Sequence, residues 1–131
     1  MTRQRLGGVL TGIAAAGFLA TAAFHTTGYS SVVNAAALAP GRVRALLPML
    51  WLVISFDFAV LGMIVAVVAF RPEGPARSIL SVAALSPFAA AGLQIRFVGF
   101  ILPTAILIVV GVLTLICAIV LPSTRVKPAG R

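Results

Sequence analysis

The chain has 131 residues, 61% of them apolar and only 9% charged, with a mean hydropathy of +1.17 and a net charge of +8. Water-soluble domains carry about 25% charged residues, so this chain lacks the polar groups to cover a water-facing surface. Its basic residues are scattered over loops and ends and form no stripe, which excludes a nucleic-acid partner.

In hydrocarbon every backbone N–H and C=O must be paired internally, so only helices and closed barrels span it. The apolar runs are continuous and lack a two-residue alternation, which selects helices. The expected fold class is an all-α membrane protein: one domain, a four-transmembrane-helix bundle.

Helix 1 is expected over about 6–28. Leu6–Phe24 contains no ionisable group, and about 20 apolar residues cross a bilayer core. Gly8, Gly12, Ala16 and Ala20 recur at four-residue spacing, a small-residue seam expected to pack against another helix. The segment Met1–Arg5, the apolar run and Ala20-Thr21-Ala22 also have the layout of a secretory signal. They are read here as the first span. The connection Tyr29–Arg44 is the longest. Its Val32-Val33 pair and Ala35–Ala39 run predict a short helix lying on the membrane surface.

Helix 2 is expected over about 45–70, with Pro48 in its first turn, where a missing N–H costs little. Arg71-Pro72-Glu73-Gly74-Pro75 ends it. Helix 3 is expected over about 77–93, kinked at Pro87, with Gln94-Ile95-Arg96 as its exit. Helix 4 is expected over about 101–121, with Pro103 in its first turn. Residues 122–131 read as a disordered basic tail.

Four spans put both termini on one side. Arg3, Arg5, Arg71, Arg77, Arg125, Lys127 and Arg131 fall there and outnumber Arg42, Arg44 and Arg96 opposite. The positive-inside rule then makes both termini cytoplasmic.

Asp57 is the only acid inside an apolar run; the other, Glu73, is in a connection. Counted from Ala45, Asp57 lies about 18 Å down its helix, near the midplane. An ionisable group at that depth marks a functional contact by default. It serves as a proton or cation site, as a contact for a ligand or a partner's basic residue, or as a hydrogen-bond donor to a neighbouring helix. Its one candidate intrachain cation is Arg96, which otherwise anchors the interface beside Phe97 and Phe100. His25 is the only histidine, near the outer end of helix 1. It is expected level with Leu50 and Trp51, bonded to Thr26, Tyr29 or water, about 10 Å from Asp57 in depth. Ligation of haem or a chlorin by His25 would need a five-coordinate centre or a second subunit's ligand, so no cofactor is expected. Trp51 and Tyr29 fit an aromatic belt at the membrane boundary. Ser55 is the other polar residue inside helix 2. Cys117 is the lone cysteine, so no intrachain disulfide forms and no thiolate metal site is expected. No hydrolytic triad, phosphate loop or zinc spacing is present.

The histidine ending helix 1, the tryptophan in Leu50-Trp51-Leu52-Val53-Ile54-Ser55 and the proline in Gly99-Phe100-Ile101-Leu102-Pro103 form a pattern. It resembles small bacterial four-helix membrane proteins of unassigned activity. That resemblance implies a multi-pass protein of the bacterial inner membrane and no catalytic residues. In size the chain is also similar to the small multidrug exporters, which carry an acid in helix 1. Here that helix has none and the carboxylate is in helix 2, which counts against that family.

The expected function is non-catalytic: an accessory or assembly subunit packed against a larger membrane complex of respiratory or photosynthetic type. The alternatives are a small-molecule or lipid binding protein or transporter using Asp57, and a membrane enzyme or cofactor carrier using His25. The expected partners are the lipid bilayer and other membrane subunits or a second copy. The contacts expected to matter are Asp57, His25, Trp51, Ser55, Arg96 and Tyr29.

Overall fold

The computed structural model describes residues 2–72 and 74–121; the basic tail expected at 122–131 lies outside them. Among the described residues there are only helices: α1 (Arg3–Thr27), α2 (Tyr29–Ala37), α3 (Val43–Phe70), α4 (Ala76–Phe97) and α5 (Leu102–Val120). Four spans are long and apolar enough to cross a membrane, the first formed by α1 and α2 together.

The elements start and stop where the backbone chemistry dictates. Thr2 caps α1, its Oγ1 accepting the Arg5 N–H at 3.4 Å. The chain turns at Gly41, Gly74 and Gly99, all at positive φ, where a residue without a Cβ is unstrained. The breaker at Gly99 explains why α4 continues through Gln94-Ile95-Arg96 to Phe97 instead of leaving at Leu93. Polar side chains alone do not end a helix. Two arginines satisfy carbonyls that helix C-termini leave unpaired. Arg44 donates to the Ala37 carbonyl at the end of α2 (2.8 Å), and Arg77 Nε donates to the Ala118 carbonyl in the last turn of α5 (2.8 Å).

The expected surface helix is a different object. Gly28, between α1 and α2, keeps right-handed helical angles (φ −77°, ψ −6°). The chain therefore continues from α1 into α2 instead of bending away onto a surface. The two together run antiparallel to α3 along its whole length. Gly8 approaches Ala69, Gly62 meets Phe18 and Leu19, His25 meets Ser55, Gly28 meets Trp51 and Ala37 meets Arg44. Each step up one helix is matched by a step down the other. Tyr29, Val32 and Ala36 form the more buried stripe of α2, whose main neighbour is α3.

The second hairpin is α4 with α5, held through Arg77–Ala118, Phe88–Gly111 and Gln94–Thr104. It joins the first mainly through α1 against α5, where Gly7 meets Leu121 and Gly17 meets Val110. The core is a column around Phe18, Val65, Leu80, Leu107 and Cys117. The hydroxyls of Thr11, Thr21, Thr26 and Thr114 each donate to the carbonyl four residues back, at 2.7–2.8 Å. Polar groups inside the bundle are thereby satisfied within their own helix.

The hairpins differ in length. The 19 residues of α5 span about 28 Å, and the 28 residues of α3 about 42 Å, at 1.5 Å per residue. Gly17 faces Val110, and stepping up both antiparallel helices equally brings His25 level with Leu102, the first residue of α5. Above that level α2 and the first turns of α3 stand alone, an overhang of about 14 Å for the nine residues of α2.

Candidate functional site

Five polar or amphipathic side chains, His25, Trp51, Ser55, Gln94 and Thr104, gather at one level, where the α4–α5 hairpin ends and the longer hairpin carries on. On the α1–α3 side the centre is His25. Its ring stacks on Trp51, with centroids 3.9 Å apart and planes 16° from parallel. Trp51 Nε1 donates to the His25 carbonyl at 2.7 Å, and His25 Nδ1 lies 2.8 Å from Ser55 Oγ. Ser55 Oγ also lies 3.1 Å from the Trp51 carbonyl. A serine hydroxyl has one proton. Both contacts are hydrogen bonds only if Nδ1–H donates to Oγ and the hydroxyl donates to the Trp51 carbonyl. That relay places a proton on Nδ1, so in the neutral ring Nε2 is the unprotonated nitrogen.

The indole approaches α1 this closely because residue 28 is glycine. A Cβ there would stand 2.7 Å from Trp51 Cζ2, inside any real carbon–carbon contact. Gly28, Trp51, His25 and Ser55 are one packed unit, and its register fixes how α1 meets α3.

On the α4–α5 side, at the same level, the buried Thr104 Oγ1 donates to Gln94 Oε1 at 2.9 Å. Between the two clusters lies a cavity of about 570 Å³. His25, Trp51, Gln94, Thr21 and Thr27 contribute to walls built mostly from apolar residues such as Phe24, Ile54, Phe58 and Leu93. It exists because α3 and α4 touch only sparingly while each packs closely on its own hairpin partner.

The remaining expected contacts are elsewhere. His25 contacts both Trp51, the level expected for it, and Ser55 one turn further on, so Asp57, six residues beyond Trp51 and two beyond Ser55, lies about 3–9 Å deeper than those contacts. Asp57 occupies the middle of α3 but lies level with the first turn of α5. It is exposed, does not line the cavity, and makes no hydrogen bond or ion pair among the described residues. Arg96 is also exposed; its guanidinium lies 5.4 Å from the centroid of the Phe97 ring, a cation–π contact, and it forms no ion pair with Asp57. Tyr29 is half-buried at the start of α2.

The small-residue seam is largely open. Gly8 is half-buried near the Ala69 carbonyl, but Gly12, Ala16 and Ala20 are exposed, and a Cβ on Gly12 would meet nothing within 4 Å. The close crossings use other glycines: Gly7 on Leu121, Gly17 on Val110, Gly62 on Leu19 and Phe18, and Gly111 on Phe88. Gly8, Gly12 and Ala16 instead line a shallow apolar groove between α1 and α3. No cluster of three metal-ligating side chains occurs among the described residues.

Comparison with protein-family models, with curated proteins and with solved structures yields no match to this chain.

Proposed function

We propose that this chain is a non-catalytic, multi-pass membrane protein that works as an accessory or assembly subunit, its Asp57 face covered by a helix of another membrane chain. The observation that carries this reading is the placement of Asp57. It is exposed on α3 between Val53 and Ile64, themselves 46% and 41% exposed, with Phe56 beside it at 67%. A carboxyl on such a face, if lipid alone met it, carries a desolvation cost that grows with depth, from little at the boundary to about 2.5–3.5 kcal/mol at a bilayer centre. A neighbouring helix offering a cation or a hydrogen-bond donor removes that cost. The open groove along Gly8, Gly12 and Ala16 lets a second helix approach closely, and the apolar overhang of α2 and α3 extends beyond α5. In this reading the termini are cytoplasmic and the membrane is a bacterial inner membrane, the partner belonging to a respiratory or photosynthetic type of complex.

A transporter driven by Asp57 is less well supported. The carboxyl does not line the cavity beside His25 and makes no polar contact among the described residues.

Purification in mild detergent tests the reading. The native chain is expected to bring a second membrane protein at fixed stoichiometry. Asp57→Asn, which keeps a hydrogen-bonding side chain, is expected to retain part of it. Asp57→Leu is expected to lose it while remaining folded. A single-species preparation from both native chain and Asp57→Leu would overturn the proposal.

A further inference from the structure

The cavity at the outer end of the bundle has the chemistry of a ligand site. Its volume of about 570 Å³ falls within the roughly 300–1,000 Å³ of small-molecule pockets, which are mostly apolar with a few placed polar groups. Two side chains supply those groups here, one from each hairpin. Each is tied at its far atom by a buried hydroxyl and left with one uncommitted nitrogen. Ser55 holds His25 at Nδ1, and Thr104 holds Gln94 at Oε1. The relay through Ser55 leaves His25 Nε2 as an acceptor, and the Thr104 bond leaves the Gln94 amide N–H groups as donors. Neither nitrogen is sealed: no side-chain nitrogen or oxygen is buried without a partner among the described residues. The other polar donors on the His25 wall are already committed: Trp51 Nε1 to the His25 carbonyl, Thr21 Oγ1 to the Gly17 carbonyl and Thr27 Oγ1 to the Phe24 carbonyl.

A complementary ligand carries a hydroxyl to donate to His25 Nε2 and an oxygen to accept from Gln94, on an otherwise apolar frame. A flat ring suits the aromatic wall that His25 and Trp51 make. The location adds a tail. The cavity lies at the level where α5 begins, lined by Ile54 and Phe58 of α3 and by Ala90 and Leu93 of α4, two helices that touch only sparingly. An amphiphile with its polar ring at the membrane boundary and its chain directed into the bilayer fits that shape.

We propose that this cavity binds a quinol-class lipid, a dihydroxy aromatic ring with an apolar tail, through His25 Nε2 and the Gln94 amide. The site rests on the proposed membrane placement of the bundle but not on the partner at Asp57. No redox step is part of the proposal.

Trp51 is the only tryptophan and lines the cavity, so its fluorescence reports occupancy. The experiment titrates protein reconstituted in vesicles with a short-chain benzoquinol, and with the same alkyl chain on an unsubstituted benzene ring. Alkaline carbonate extraction first confirms insertion, so failure of the membrane placement is read separately from failure of the site. Saturable quenching by the quinol is expected, with the oxygen-free ring at least tenfold weaker. His25→Phe keeps a flat ring against Trp51 and removes the acceptor; Gln94→Leu removes the donor. Each is expected to weaken quinol binding by about tenfold, with binding of the oxygen-free ring unchanged. Because the variants alter opposite walls, either one that retains native circular dichroism suffices. Absence of saturable quenching by inserted protein overturns the proposal. So does equal binding of the two rings, or native affinity in a folded His25→Phe or Gln94→Leu variant.

Discussion

Trp51→Ala is expected to destabilise the protein by about 3–5 kcal/mol, the range for removing a large packed aromatic side chain. Three losses combine. The stack on His25 disappears, the His25 carbonyl loses the indole donor, and the space beside Gly28 empties. Trp51→Phe keeps a ring on His25 and loses the hydrogen bond, so about 1 kcal/mol is expected for that change. The order is therefore native, Phe, then Ala, measured as the mole fraction of denaturing detergent at which helicity is lost. An alanine variant as resistant as the native chain would show that the indole does not hold α1 to α3.

Gly62→Val is the second large effect. Gly62 is buried on α3, and a Cβ there would stand 2.9 Å from Leu19 Cγ and Cδ2 and 3.2 Å from Phe18 Cβ. The end of Leu19 can swing aside, since that residue is 43% exposed. The Cβ of Phe18 is fixed to a backbone that belongs to the fully buried core and cannot. Valine therefore pushes α1 and α3 apart at the middle of their crossing. A cost of about 3 kcal/mol is expected, at the upper end of the range for overpacking, and about 1 kcal/mol for Gly62→Ala. Gly12→Ala is the matched control. Nothing lies within 4 Å of its Cβ, and alanine favours a helix interior by about 0.5–1 kcal/mol over glycine. The isolated chain is thus expected to tolerate or gain from Gly12→Ala and to lose from Gly62→Ala in the same assay. The reverse order would mean that the open seam, not Gly62, makes the intrachain crossing.

That contrast shows where the sequence was legible. The four long helices follow directly from unbroken apolar runs and from the breaker at Arg71–Pro75, because backbone pairing in an apolar solvent leaves little choice. Which glycines make close crossings was not legible. Gly8, Gly12, Ala16 and Ala20 have the periodicity of a packing seam, yet Gly7 and Gly17, with no such pattern, approach α5. The choice depends on how each helix is rotated, which is set by the whole core.

The candidate site was half legible. His25, Trp51 and Ser55 stand out as polar or amphipathic residues in apolar runs, and they meet. The continuation of α1 into α2 did not follow, because Gly28 looks like a helix end and is instead a nearly helical joint. Gln94 read as the residue that ends α4. Its pairing with Thr104 comes from the antiparallel register of α4 on α5, which no local pattern encodes. The one available signal was rarity: Gln94 is one of two glutamines in the chain, the other being Gln4 near the N-terminus.

Asp57 remains the residue whose environment the isolated chain does not complete. We propose that another protein completes it. The direct measurement places a photo-crosslinking amino acid at Phe56, which is 67% exposed beside Asp57, and irradiates intact membranes. A discrete protein adduct of one partner chain, lost when Asp57→Leu is introduced in the same background, is the predicted result. Adducts to lipid alone, unchanged by Asp57→Leu, would contradict it.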